Sequence, residues 1–398
     1  MIDNLPNGWR IEELKNIGNF VRGVSYNKND LIDELTENDI TLLRANNIKE
    51  ILYLKDFQFL NRKAVKEKQL LQYGDILIAM SSGSKDLVGK NVYIDRNLQN
   101  YSFGAFCSVF RTNPNKNSRY ISLFFKSKYF KNSLSLNGTN INNLRITELE
   151  CMKIPIPPLQ QQEKIVKVLD LSSNLIEKQK ELLKNYDLFL KSKFIEMFGD
   201  PITNPMGWET KKLGILADWK GGGTPSRKEP QYFNGSIPWI TTVSLGKLYI
   251  SEKDAVEFIT NEAVMKSSAK IIPVNSIIIG TRVGVGKVSI NKIELCTNQD
   301  IMSMTNISTD LSNIFLYFFI NYYNEFLKSQ QRGATIQGIT APVLKDLNTI
   351  LPPIEIQNKF ASIVEKIEII KEKENQKLKQ LEDLHNSLMQ KAFKGEIE

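Results

Sequence analysis

Short apolar runs separated by polar, glycine-bearing loops fill most of the chain, and two long stretches break that pattern by repeating apolar residues every seven positions. The short runs Asp75-Ile76-Leu77-Ile78-Ala79 and Ser276-Ile277-Ile278-Ile279-Gly280 are bounded by Gly, Ser and Asn and predict buried strands. Tyr120 to Phe130 and Asn313 to Lys328 are dense in aromatic and aliphatic residues without Gly or Pro, which predicts packed helices whose rings form core. In the first long stretch Val168, Leu175, Leu182 and Phe189 make one sevenfold row, and Leu169, Ile176, Leu183, Leu190 and Met197 a second. The other stretch carries Ile363/Val364, Ile367, Ile370, Leu378, Leu381, Leu384 and Leu388 with Lys and Glu between them. Both stripes predict a coiled-coil seam. Each stretch runs for roughly 40 residues, or about 60 Å at 1.5 Å per residue, too long to lie on one small domain.

The pattern occurs twice. Gly138-Thr139-Asn140-Ile141, Leu149, Pro157-Pro158-Leu159 and Gln162-Glu163-Lys164-Ile165 are matched without a gap by Gly333-Ala334-Thr335-Ile336, Leu344, Pro352-Pro353-Ile354 and Gln357-Asn358-Lys359-Phe360, 195 positions later. The register persists to Ser192 with Ser387 and Phe198 with Phe393. Upstream, Gly8-Trp9 and Leu14 are echoed by Gly207-Trp208 and Leu213, and Val21 to Ser25 falls on Lys220 to Thr224. A repeat of this length is a duplicated domain with a helix, not a solenoid unit. Each Pro-Pro pair ends a domain and launches a helix, because proline has no N–H and biases its predecessor away from helix.

The expected fold is α+β: two mixed α/β domains in tandem, 1–157 and 200–352, separated by helical segments 158–199 and 353–398. Antiparallel pairing of the two helices about a pseudo-two-fold buries both stripes and holds the domains apart, inverted. Two similar sites at a fixed separation follow.

The formal net charge of +8 is uneven: +6 over residues 1–158, +1 over 159–199, +2 over 200–353 and −1 over 354–398. The excess lies in the globular parts and favours a polyanionic partner. Cys107, Cys151 and Cys296 are odd in number and widely spaced, so no disulfide framework or CxxC metal site is expected, and a cytoplasmic location is. The opening residues lack a basic region followed by an apolar core, and no apolar run reaches 18 residues; secretion and membrane insertion are not expected.

Catalytic chemistry finds little to work with. His385 is the one histidine and lies among charged residues on the second long helix, which argues against histidine-based catalysis and His/Cys zinc sites. Gly280-Thr281-Arg282-Val283-Gly284-Val285-Gly286-Lys287-Val288 looks like a phosphate loop but fails GxxxxGK[ST] at Thr281, where glycine is needed, and at Val288, where a hydroxyl is, and Gly83 to Asn91 fails at the same places. Both read as glycine-bearing turns between strands. Neither Pro-Pro pair has the Asn/Asp before it or the aromatic after it that a DNA amino-methyltransferase needs.

The loops instead offer hydrogen-bonding groups suited to base edges and phosphates: Asn or Gln for adenine, Arg for guanine, Ser, Thr or Lys for phosphate. In the first unit these are Arg22, Ser25, Lys28, Arg44, Asn46, Asn47, Ser82, Ser84, Lys85, Lys90, Asn140 and Asn142. In the second they are Thr224, Ser226, Arg227, Lys228, Thr241, Thr242, Ser244, Arg282, Lys287, Arg332, Thr335 and Gln337. Any single Asn, Ser or Gly also fills a turn for backbone reasons alone. Corresponding loops share a frame but differ in side chains, as two readers of different sequences would.

The ordered duplicate resembles the specificity subunit of type I restriction-modification enzymes along the whole chain. The carriers are Trp9 and Trp208, Gly74-Asp75-Ile76-Leu77-Ile78 with its counterpart from Asn275, and the Gly138 and Gly333 loops. They continue in Ile154-Pro155-Ile156-Pro157-Pro158-Leu159-Gln160-Gln161-Gln162 with its distal copy, and in Met197-Phe198-Gly199-Asp200-Pro201. Asn275 for Gly74, Asn358 for Glu163 and Pro225 for Tyr26 are departures between the repeats that bear on loop shape. The resemblance implies two target-recognition domains, each reading half of a split double-stranded DNA target. It also implies helices that set the spacing and dock two methyltransferase subunits, which bring S-adenosylmethionine, with restriction subunits joining the full complex. It assigns this chain no catalytic residue, metal or cofactor. The competing readings are a nuclease or fused restriction-methylation enzyme, for which the repeats leave no room, and a noncatalytic coiled-coil scaffold that binds other proteins.

Overall fold

The computed structural model describes residues 5–83, 87–134, 142–331 and 338–397, with Asn142 in its backbone only. Two compact units divide the chain: Met1–Lys180 with Gln376–Glu398, and Glu181–Asn375. Each mixes sheet and helix.

In the first unit the opening strand Arg10–Glu13 pairs antiparallel with the closing strand Lys153–Ile156. Between them a four-stranded sheet runs in the order Gly18–Arg22, Cys107–Thr112, Ile76–Ala79, Asn91–Tyr93. A second runs Leu31–Ile32, Gln58–Leu60, Ile40–Leu43, Tyr101–Phe103, its last pair parallel. Ile76–Ala79 is buried throughout, which is why it reads as an unbroken apolar run. Its side chains alternate by strand geometry: Ile76 and Ile78 enter one cluster with Phe110, Tyr120 and Phe124, and Leu77 and Ala79 another with Phe103 and Val109.

The second unit repeats this plan. Thr210–Lys212 pairs with Asn348–Ile350, and a five-stranded sheet runs Asp218–Gly221, Ile301–Thr305, Ile277–Gly280, Val288–Asn291, Tyr249–Ile250. Ile277 and Ile279 enter one cluster and Ile278 another, as in the first unit. A three-stranded sheet orders Glu257–Ile259, Ile237–Ile240, Cys296–Thr297.

The aromatic segments are core helices, each in two pieces: Ser118–Lys126 and Lys128–Asn132, then Asn313–Tyr322 and Asn324–Ser329. In the first the break falls at buried Ser127, whose hydroxyl accepts from the Phe130 N–H at 3.2 Å and caps the second piece.

The long helices span Leu159–Phe198 and Ile354–Lys394. The shared Gln explains how each begins: Gln162 Nε2 donates to the Pro157 carbonyl and Gln357 Nε2 to the Pro352 carbonyl, both at 2.8 Å. In the first unit Ile165 and Leu169 share a core with Met389, Ala392 and Phe393, so residues from both helices complete it. In the second, Leu190, Phe194 and Phe198 pack with Phe360 and Val364, the Phe194 and Phe360 rings 5.6 Å apart. Within each unit the two helical segments run antiparallel. Ser172 meets His385 and Lys180 meets Glu382 in the first unit, while Asp187 meets Lys371 and Phe194 meets Phe360 in the second.

One expectation needs correcting. The Leu169, Ile176, Leu183, Leu190, Met197 row is buried or half-buried, but Leu175, Leu182 and Phe189 are exposed. The row that alternates with it is Ile165, Ser172, Gln179, Tyr186, largely polar. On the other helix Ile370 and Leu384 also face outward, and Lys371 and His385 take the inward positions beside them.

Candidate nucleic-acid interface

In both units the same frame gathers loops that are remote in sequence. The strand Gly18–Arg22 runs into Gly23, whose N–H donates to the Cys107 carbonyl at 3.2 Å; Val24 N–H donates to Phe103 at 2.8 Å. In the second unit Gly222 N–H reaches Ile301 at 3.0 Å and Gly223 N–H reaches Thr297 at 2.8 Å. The backbones approach so closely that a Cβ on Gly23 would sit 2.1 Å from the Gly104 carbonyl oxygen, and one on Gly222 2.1 Å from that of Asn298. The repeated glycine is a packing requirement.

Two further loops join each. Met80 N–H donates to the Phe106 carbonyl and Leu144 N–H to the Met80 carbonyl, both at 2.9 Å. Their counterparts are Thr281 N–H to Asp300 at 2.8 Å and Ile339 N–H to Thr281 at 2.7 Å. In the first unit these loops rim an open depression of 540 Å³. Arg22 and Ser25 line it from one loop, Ser81 from the second, Phe106 from the third, and Asn143 and Arg145 from beside the strand Asn142–Asn143. That short strand pairs with Ser81–Ser82, Asn142 opposite Ser82.

The sequence candidates separate by placement. Arg22, Ser25, Lys28, Asn46 and Lys90 are exposed, as are Ser226, Lys228, Arg282 and Lys287. Ser82 and Thr241 are half-buried. Thr224 is half-buried with its hydroxyl on the Gln299 carboxamide. Several are engaged in the fold, contrary to expectation. Asn47 is 0% exposed, and its Nδ2 donates to the Tyr53 and Lys55 carbonyls at 2.8 Å each. Arg44 is half-buried and donates to the Asp56 carbonyl at 3.0 Å. Thr242 is buried, and Ser244 Oγ donates to the Asp254 carbonyl at 2.8 Å. Arg227 makes a two-pronged pair with Glu257, at 2.8 and 2.7 Å, and lies 4.1 Å over the Phe233 ring, so its charge is already matched. Ser84, Lys85, Asn140, Arg332, Thr335 and Gln337, and the side chain of Asn142, lie outside the described residues.

Sequence reasoning missed Phe106 and Arg145 in the first depression. A single Phe beside a strand reads as core, and only its exposure in three dimensions says otherwise.

The Gly280 to Val288 segment is a turn joining the antiparallel strands Ile277–Gly280 and Val288–Asn291. Burial pushes the Cys107 thiol up to about 12 and the Cys296 thiol up to about 11, so neither is a ready nucleophile. Among the described residues no group of His, Cys, Asp and Glu could hold a metal ion, and no helix is long and apolar enough to cross a membrane.

A single loop frame built twice, with polar side chains on its loops and an open depression in the first unit, defines a duplicated binding scaffold. The chain belongs to the type I restriction-modification DNA specificity domain family, whose profile matches residues 6–185 and again 205–383. It is a noncatalytic DNA-recognition subunit of that class. It is 29% identical to the StySPI specificity subunit of Salmonella potsdam and 27% to the EcoKI specificity subunit of Escherichia coli K12, covering 99% of this chain and 90% of each relative. Among solved structures, a chain from a study of assembly and conformational transition in a type I system matches with a TM-score of 0.60 at 18% identity, over 99% of this chain and 100% of that one. The type I S subunit from M. genitalium matches with a TM-score of 0.52 at 14% identity, over 98% and 97%. These likenesses support the mixed helix and sheet fold.

Proposed function

We propose that each unit reads one half of a bipartite double-stranded DNA target, with target-recognition domains at 1–157 and 200–352. The helical segments 158–199 and 353–398 form an antiparallel coiled coil that sets the half-site spacing. The observation that carries this is the repeated loop frame bearing unlike side chains: Arg22, Ser25 and Phe106 in one unit stand where Gly221, Thr224 and Asp300 stand in the other. A shared set of backbone bonds with different tips suits one mode of docking and two different sequences. Two half-sites gripped by one chain gain effective concentration, so moderate individual affinities suffice.

The outward rows of the long helices support protein docking. Leu171 and Leu175 are exposed on the helix within the first unit, and Leu182, Leu188 and Phe189 within the second. A row of exposed leucines on a charged helix suits a partner helix or groove. We assign these faces to two methyltransferase subunits, which bring S-adenosylmethionine, with restriction subunits completing a cytoplasmic complex. Modified-base sequencing of cells expressing the chain with its methyltransferase, compared with cells lacking the chain, tests the proposal. A bipartite motif with a fixed gap that disappears with the chain is expected. An active methyltransferase whose motifs do not depend on the chain would leave only the protein-binding scaffold.

A further inference from the structure

Phe106 is 67% exposed, and its ring enters none of the buried clusters of its unit. The backbone beneath it is held tightly. Cys107 N–H closes the turn onto the Gly104 carbonyl at 2.8 Å, Gly104 N–H is tied to Leu43 at 2.9 Å, and the Phe106 carbonyl accepts from Met80 N–H at 2.9 Å. A fixed backbone presents an apolar ring to water in a depression of mixed lining, with Arg22, Ser25 and Arg145 on its polar side and Met80 and Ile146 on its apolar side, and the ring has no evident use in the isolated chain. The second unit makes the same turn with the same backbone bond, Thr281 N–H to Asp300 at 2.8 Å, and there the side chain is a carboxylate 3.6 Å from the Arg282 guanidinium. The Asp300 carboxylate also accepts from Asn298 Nδ2 at 3.2 Å and is largely covered, so the two copies differ in both the chemistry and the exposure of the tip.

We infer that Phe106 makes an apolar contact with the bases of the half-site read by the first unit, whereas the second unit presents the Arg282 and Asp300 pair at that place. This rests on the reading that the depression faces DNA. Cations around the ring hold phosphates and set the register, while the ring packs on a thymine methyl or enters a base step, both of which distinguish sequences. The two halves of the target are then read by different physics, one in part apolar and the other through charge and hydrogen bonds.

The test uses the full chain with its methyltransferase in cells and reads the methylated motif by modified-base sequencing. Phe106→Ala should leave the thermal midpoint unchanged, because the ring is exposed. It should lower discrimination roughly tenfold at one or two adjoining positions of one half-site, leaving the other half-site and the gap intact. Arg145→Ala runs in parallel. If Arg145→Ala weakens methylation and Phe106→Ala leaves the motif unchanged, the inference on Phe106 fails and the DNA-facing reading stands. If neither changes anything, the reading of the depression fails and takes the inference with it. Loss of all methylation by Phe106→Ala, with loss of co-purifying methyltransferase, would assign the ring to a protein interface and overturn the inference.

Discussion

Asn275 holds a φ of +62°, and Gly74, its counterpart in the first unit, a φ of +89°. Both residues precede the buried central strand, and asparagine is the side-chain-bearing residue that tolerates this region best. The departure between the repeats is therefore conservative in backbone terms. Asn275→Gly should shift stability by less than about 0.5 kcal/mol, and Asn275→Val should cost about 1–2 kcal/mol. Thermal unfolding of the full chain checks the order; a valine variant as stable as the glycine variant would show that the turn does not need this conformation. The next residue differs more deeply. Asp75, 1% exposed, takes a two-pronged bond from Arg111 at 2.8 and 2.7 Å and one from Gln72 N–H at 2.8 Å. Ser276 instead makes neutral bonds, its Oγ donating to the Pro273 carbonyl and its N–H to Asn291 Oδ1, each at 2.7 Å. Arg111→Ala strands a buried carboxylate and should cost about 3–5 kcal/mol in denaturant unfolding. At this scale the sequence is a poor guide to the site. Asn46 and Asn47 are chemically identical neighbours, yet a single 3₁₀ turn, Ala45–Asn47, leaves one exposed and buries the other.

Elements were more legible than tips. The apolar runs at Ile76 and Ile277 are central strands, and the shared Pro-Pro-x-x-x-Gln pattern marks the first turn of each long helix. The seam was misassigned because adjacent sevenfold rows are both apolar, and periodicity cannot say which of two neighbouring rows faces inward. The polar row Ser172, Gln179, Tyr186 gives no hydrophobic signal at all. Gln162 and Gln357, alike in sequence, carry unequal loads: Gln357 also donates to the Asp310 carbonyl and accepts from Ser312 N–H, each at 2.8 Å. Gln162→Leu should cost roughly 1 kcal/mol and Gln357→Leu roughly 2–4 kcal/mol, since more buried partners lose their bonds. Equal losses in matched unfolding experiments would contradict that difference. His385 offers a pH test on the distal helix. Ser172 Oγ donates to the Leu169 carbonyl at 2.9 Å, so the 2.8 Å contact with His385 Nδ1 requires the proton on the imidazole nitrogen. Burial, and then the Lys126 ammonium, hold the His385 pKa below its ordinary 6.5. The unfolded chain therefore takes up the proton first. Stability from this group is full above about 6.5 and is lost as pH falls through the folded value. His385→Gln should flatten the decline in thermal midpoint between roughly pH 7 and 5 relative to the unaltered chain; an unchanged slope would remove the histidine from the account.

At the scale of the whole molecule, duplication was plain in the sequence because a 195-residue register runs unbroken from the Gly138 and Gly333 loops through the long helices, while upstream the offset shifts to 199 and 201 positions as the loops between the shared strands change length. That division makes the spacer proposal separable from the recognition proposal. The boundaries of the compact units fall within the long helices, between Lys180 and Glu181 and between Asn375 and Gln376. Seven helix-forming residues added at both places preserve the sevenfold pattern of the helices and lengthen each by roughly 10.5 Å. At about 3.4 Å per base pair, that extension corresponds to roughly three base pairs of DNA. If the helices set the spacing, modified-base sequencing should return the same two half-sites with a gap longer by about three. An insertion in one helix alone throws the pairing out of register and should reduce methylation without selecting a new gap. Should the double insertion be methylated at the original gap, the two helices would serve as docking and packing elements, and the spacing would have to be set by the partner subunits.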